Sequence, residues 1–144
     1  MREYDIQPNF LKDLAHGEQG EETIKTFLKN LAQGAIEVKT DRYRNGKIVI
    51  ETNQKPTGQN WKPSGINVTT AQWWVYQYHL DGAFITIKTD RLKRYLRANK
   101  QRYNEQTKQT MGTNGDNPTK GWLLQPHEVQ DLMLNKEYDT PLSD

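Results

Sequence analysis

Glu21, Asp41 and Glu51 are the residues whose type and spacing suggest chemistry, the last two standing ten positions apart. Asp41 and Glu51 lie in the run IEVKTDRYRNGKIVIETNQK, residues 36–55, which reads as two short strands around Asn45-Gly46. Two carboxylates hold Mg²⁺ because that ion takes a few hard oxygens in near-octahedral geometry and keeps several waters, one of which can become an attacking hydroxide. Both side chains must then leave the strands on one face, and the turn decides whether they do. With Asn45-Gly46 as a two-residue loop, Arg44 pairs with Lys47, Asp41 lies opposite Ile50, and Glu51 goes to the other face. With Arg44-Asn45-Gly46 as a three-residue loop and Gly46 left-handed in a bulge, Tyr43 pairs with Lys47 and Glu51 lies opposite Lys39. Asp41 is then the diagonal neighbour of Glu51 at roughly 7–8 Å between backbones, near enough to share a cation. The bulged register is the expected one.

Other elements must position this pair. In GEQGEETIKTFLKNLAQG, Ile24, Phe27, Leu28 and Leu31 form one stripe of a helix ending at Gly34, and Glu21 extends that stripe. A carboxylate near a helix start is favoured by the dipole or held there for a ligand. The hairpin strands are expected over Ile36 to Tyr43 and Lys47 to Asn53. Thr69 or Thr70 then caps a helix with Ala71, Trp74, Val75 and Tyr78 inward. AFITIKT reads as a strand, and Thr89 caps a helix that buries Leu92, Tyr95 and Leu96 while Lys93, Arg94, Arg97 and Lys100 stay outside. Residues 104–120 are expected to be a mobile loop, GWLLQP a strand, HEVQDLML a short helix, and residues 1–13 an N-terminal arm. The order implies a mixed α/β class with a sheet covered by helices.

At 144 residues, a single domain is expected. Hydrophobic residues are 33%, charged ones 26%, and mean hydropathy is -1.01, yet seven Tyr, four Trp and three Phe argue for a packed core. With no cysteine and three scattered histidines, thiolate and imidazole metal sites are excluded, leaving a hard, oxygen-ligated cation. There is no long apolar run and no apolar leader, so no membrane association and a cytoplasmic location are expected. Net charge is only +2, but Lys88 to Lys108 carries eight Lys or Arg against two acids. Such a stretch suits phosphate contacts, whose counterion release supplies most non-specific nucleic-acid affinity. The plainer reading is a solvated helix face.

A glutamate on the first helix, an aspartate in one strand and a glutamate in the next resemble the active-site pattern of the PD-(D/E)xK nuclease superfamily. EVKTD, IVIE, KPSGI and TTAQWW are similar to a group of small phage-type proteins within it. The likeness runs from Glu18 to about Leu96, and NPTKGWLLQP fits as well. It implies a restriction-endonuclease-like core, a mixed central sheet with a β-hairpin flanked by helices. It also implies a Mg²⁺-dependent (or Mn²⁺-dependent) endonuclease that hydrolyses DNA, reading structure rather than sequence. By this resemblance Asp41, Glu51 and the Thr52 carbonyl would bind the ion, and Glu21 would complete the shell. Thr40 replaces a frequent proline, without chemical consequence. Asn53 stands where the pattern has a lysine that orients water and stabilises the transition state, with Lys39 or Lys55 as substitutes. For Lys39 the plainer role is a cross-strand salt bridge to Glu51. Ser64 and the Gly65 amide, followed by a helix start near Thr70, would hold a phosphate, and Trp61 and Trp73 would stack on bases; the plainer readings are an ordinary Pro-Ser-Gly turn and core tryptophans. Paired cuts at a junction would imply a homodimer. The rivals are a catalytically impaired DNA-binding protein of the same fold, and a small structural or partner-binding protein.

Overall fold

The computed structural model describes residues 10–41, 43–112 and 117–140. They form two compact units, the first ending at Ala35 and the second beginning at Ile36. The first consists of helix α1, Phe10–Ala32, which starts within the expected arm; the rest of that arm, residues 1–9, lies outside the described residues. Gly34 stops the helix as expected, since a left-handed residue (φ 71°) lets the following N–H of Ala35 turn back to the Asn30 carbonyl. Ile24, Leu28 and Leu31, expected to face inward, are exposed, as is Glu21. None of the described helices is long and apolar enough to cross a membrane.

The second unit is mixed α/β. One three-stranded mixed sheet has the order β1-β4-β5, from Ile36–Thr40, Trp73–His79 and Ala83–Lys88. A four-stranded antiparallel sheet has the order β3-β2-β7-β6, from Lys62–Pro63, Ile48–Gln54, Thr119–Leu124 and Gln109–Met111. Helices α2 (Thr89–Ala98) and α3 (Pro126–Leu134) complete it. The core draws Trp74 and Ile87 from the first sheet, Ile48, Ile50 and Leu124 from the second, Leu92 and Leu96 from α2 and Leu132 from α3.

Four expectations need correction. First, β1 and β2 do not form a hairpin. β1 pairs in parallel with β4, Lys39 beside Tyr76, while β2 pairs with β3 and β7. Gly46 is left-handed (φ 76°), as is Arg44 (φ 47°), but the 41–47 loop is shaped by side-chain caps instead of a ladder. Asp41 accepts the N–H groups of Tyr43 and Arg44, and Asn45 accepts that of Lys47. Second, residues 73–79 are a strand. Trp74, Tyr76 and Tyr78 alternate on the core face, and the aromatic and β-branched content favours extended backbone; the helical spacing arose because Trp73 and Val75 are buried too. Third, the supposed mobile loop contains β6 and a 3₁₀ turn at Glu105–Thr107, while residues 113–116 lie outside the described ones. Thr89 is also no cap: it is the first helical residue, and its buried hydroxyl has no partner among the described residues.

Two features lock this unit. A Cβ on Gly65 would lie 2.2 Å from the Glu51 carbonyl oxygen, and one on Gly121 2.4 Å from that of Ile50, so glycine alone permits both neighbours to reach β2. Behind α2, Tyr103 donates to the buried Glu128, whose other oxygen accepts the Gln125 N–H at the start of α3. Tyr95 shares a 3.0 Å hydrogen bond with the Tyr103 hydroxyl.

Gly65→Ala is therefore expected to cost about 3 kcal/mol or more in urea unfolding, combining a backbone clash with left-handed strain. Gly58→Ala, equally left-handed but with open space around it, should cost only about 1 kcal/mol. Burial and the Glu128 hydrogen bond raise the Tyr103 pKa above its ordinary 10.0, and burial raises that of Tyr95 to about 12. The unfolded chain thus loses these protons first, so their stabilisation is complete below pH 10 and disappears as pH rises beyond it. Tyr103→Phe should make that alkaline decline shallower by about 1.4 kcal/mol per pH unit, read from unfolding curves between roughly pH 10 and 12.

Candidate functional site

Alternation along β1 places Glu37 and Lys39 on the face that carries Trp74 and Tyr76, their partners on β4. The Lys39 ammonium lies 3.1 Å from the Glu37 carboxylate and 5.8 Å from the Trp74 ring centre. Both charged side chains are about one-third exposed. Asp41 follows, its N–H donating to Gln77 at 2.8 Å and its carboxylate turned toward Tyr76. Burial first, then the charge and hydrogen-bonding of Asp41, push the Tyr76 pKa up to about 12; Tyr78 is raised by burial and by the same carboxylate. The result is a half-buried row of acid, base and acid over an aromatic floor, with Glu37 and Asp41 about 13 Å apart along the chain.

Glu51 belongs to the other sheet, paired with Gly121, and is half-buried. Its carboxylate has no ion-pair partner among the described residues. The expected juxtaposition of Glu51 with Lys39 is not formed, because Lys39 pairs with Glu37 on its own strand. The bulge lies at Thr52 in the β2–β7 ladder, not at Gly46. There the Thr52 carbonyl accepts the Ser64 N–H at 2.9 Å and the Asn67 amide at 3.1 Å, so both lone pairs are taken and none is left for a cation. Glu21 lies on α1 in the first unit, and Lys55 is exposed. Among the described residues, no three His, Asp or Glu side chains gather as a metal-binding group.

The phosphate-loop residues also take other places. Ser64 and Gly65 are buried against β2, and Thr70 precedes a strand, so no helix dipole points from it. Trp73 is buried, while Trp61 holds the Lys120 ammonium 4.3 Å from its ring centre. The basic stretch divides. Arg94 donates to the Tyr138 carbonyl at 2.9 Å, and Arg91 to those of Leu132 and Asn135, both at 2.7 Å, fastening residues 132–140 to α2. Lys93, Arg97 and Lys100 instead rim an open groove of about 760 Å³ floored by Ile66, Leu96 and Trp122.

Two residues of interest were missed in the sequence. Glu37 was legible: Glu37-Val38-Lys39 has the glutamate-x-lysine spacing that Glu51-x-Asn53 lacks. Lys108 left no local signal. Its side chain is only 5% exposed, its ammonium donates to the Asn53 side-chain oxygen Oδ1 at 3.1 Å and lies 5.4 Å from the Trp122 ring centre, and it pairs with Glu105. A lysine thus reaches position 53 from another element. Comparison of the chain with family models, with curated proteins and with solved structures finds no match.

Asp41→Asn should lower the Tyr76 pKa from about 12 toward 10.0, because it removes the charge that opposes tyrosinate. Ultraviolet titration against a Tyr76→Phe reference reads this; an unchanged curve would show that Asp41 does not face Tyr76.

Proposed function

We propose that this chain binds DNA and hydrolyses its phosphodiester backbone in a Mg²⁺-dependent or Mn²⁺-dependent reaction. The observation that carries the reading is the Glu37, Lys39, Asp41 row on one face of β1, where a lysine lies between two carboxylates. The donor set fits a hard cation, since Mg²⁺ is commonly held by one or two carboxylates and completes its shell with water and phosphate oxygens. When bound, such an ion would lower the pKa of a water and neutralise charge on the phosphate. Glu37 and Asp41 stand too far apart to share one ion, so Asp41, with water and phosphate oxygens, would hold it, while Glu37 would orient Lys39. Lys39, already neutralising one carboxylate, would face charge developing on the scissile phosphate, with Lys108 as its competitor for that role. Lys93, Arg97 and Lys100 would bind flanking phosphates.

A second reading, DNA binding without cleavage, is favoured by the saturated Thr52 carbonyl and by the use of Asp41 as a turn cap. Supercoiled plasmid and branched DNA incubated with Mg²⁺ or Mn²⁺ separate the two. Under the first reading the chain nicks DNA, and Glu37→Ala, Asp41→Ala and Lys39→Met each lower the rate about a hundredfold or more. Cleavage that survives all three substitutions would refute this site. Absent cleavage with salt-sensitive binding would establish the second reading. Lys108→Met, compared with Lys39→Met, identifies the lysine.

A further inference from the structure

The groove beside α2 combines features that a double helix does not use. Its rim carries Lys93, Arg97 and Lys100, all exposed and without ion-pair partners among the described residues. Its floor is apolar: Leu96 and Ile66 are 8% and 4% exposed, and the Trp122 indole is fixed by its N–H to the Asn104 carbonyl at 3.3 Å. Glu105, the carboxylate among the residues lining it, is neutralised by Lys108.

We propose that this groove takes an unpaired stretch of DNA, bases against the Trp122 floor and phosphates on the cationic rim. The inference rests on the reading that the chain acts on DNA, and it names the substrate class of that activity. A duplex keeps its base faces stacked inside and offers a side wall only phosphates and sugar, so an apolar floor would stay unused. An unpaired strand presents both a π-face and a charge at each nucleotide. Sequence preference is weak, because the amides that line the groove are engaged within the fold. Asn67 donates to the Thr52 carbonyl, while the Asn104 side-chain oxygen Oδ1 accepts the N–H groups of Gln106 and Thr107 and its Nδ2 donates to the Gln101 carbonyl. A volume of about 760 Å³ lies in the size class of pockets for one small ligand, enough for a nucleotide or two and too small for a duplex to enter.

Fluorescence anisotropy in EDTA tests this without cleavage, using labelled oligo-dT of about 12 nucleotides, mixed-sequence single strands and a duplex of equal length. Single strands should bind at least tenfold tighter than the duplex, with a slope of log affinity against log salt near about -2 for three phosphate contacts. Removing all three exposed cations, Lys93→Ala, Arg97→Ala and Lys100→Ala together, should abolish most of that slope. Trp122→Leu should weaken single-strand binding by roughly tenfold and leave the slope in place. Equal affinity for duplex, or single-strand binding that survives the triple variant, would overturn the proposal. The outcome is separable from the nuclease reading. Single-strand binding in EDTA with no cleavage in Mg²⁺ sinks only the nuclease, whereas cleavage that persists without single-strand preference sinks only the groove.

Discussion

The backbone of β2 at Ile50-Glu51-Thr52 is squeezed between two glycines, and much of the second unit is arranged around that contact. Gly65 comes from one side and Gly121 from the other, each closer than any side chain would allow. Their approach lets the Ser64 N–H and the Asn67 amide close on the Thr52 carbonyl, where the β2–β7 ladder has its extra residue. The bulge keeps the Thr52 side chain fully buried, and it lets the turn after β3 carry Ile66 into the core beside Ile50. A motif that reads as a phosphate cradle, Lys62-Pro63-Ser64-Gly65-Ile66, is in this molecule a clamp on the central strand.

That clamp also governs what chemistry is available. A carbonyl with two donors has nothing to give a metal, so an ion must be held by carboxylates and by its own waters. The carboxylates are divided between two sheets, and Lys39 pairs with Glu37 on its own strand. The face of β1 carries its own balance of charge: Glu37 satisfies Lys39, and Asp41 is supported by two N–H groups and a buried tyrosine. Each charge is compensated locally, which is what allows three ionised groups to sit half-buried beside Trp74 and Tyr76.

The sequence was informative where one periodicity dominates. β5, α2, β7 and α3 follow from alternation or from an amphipathic stripe, and the left-handed Gly46 from its turn chemistry. It misled where a local signal had to answer a long-range question. Asn45-Gly46 specifies how the chain turns, but the partner of β1 begins at Trp73, and only the folded unit decides which edge wins. The 73–79 strand is apolar on both faces, so its buried positions include those a helix would also bury. Lys108 reaches Asn53 across 55 residues and no spacing rule encodes that distance. Glu37 differs: alternation along β1 puts it on the face of Lys39 and Asp41, but only the Glu37–Lys39 ion pair marks it as part of a site.

Helix α2 shows why a count of charges is a poor guide to a binding surface. Its basic residues fall on two faces. Arg91 and Arg94, three apart, point their guanidinium forks at main-chain carbonyls of residues 132–138, a task for which several fixed donors on one planar group are suited. Lys93 and Arg97, four apart, face the groove with Lys100. The carbonyls bound by Arg91 are those freed where α3 ends at Leu134, so this cation completes the hydrogen bonding of another element, while Arg94 holds the Tyr138 carbonyl beyond it. Of the eight basic residues from Lys88 to Lys108, Arg91, Arg94 and Lys108 are spent inside the fold, Arg102 pairs with Glu128, and Lys88 lies over Trp73 away from the groove. The field at the groove is therefore set by three exposed cations, and it is strongest along an apolar floor where water screens least.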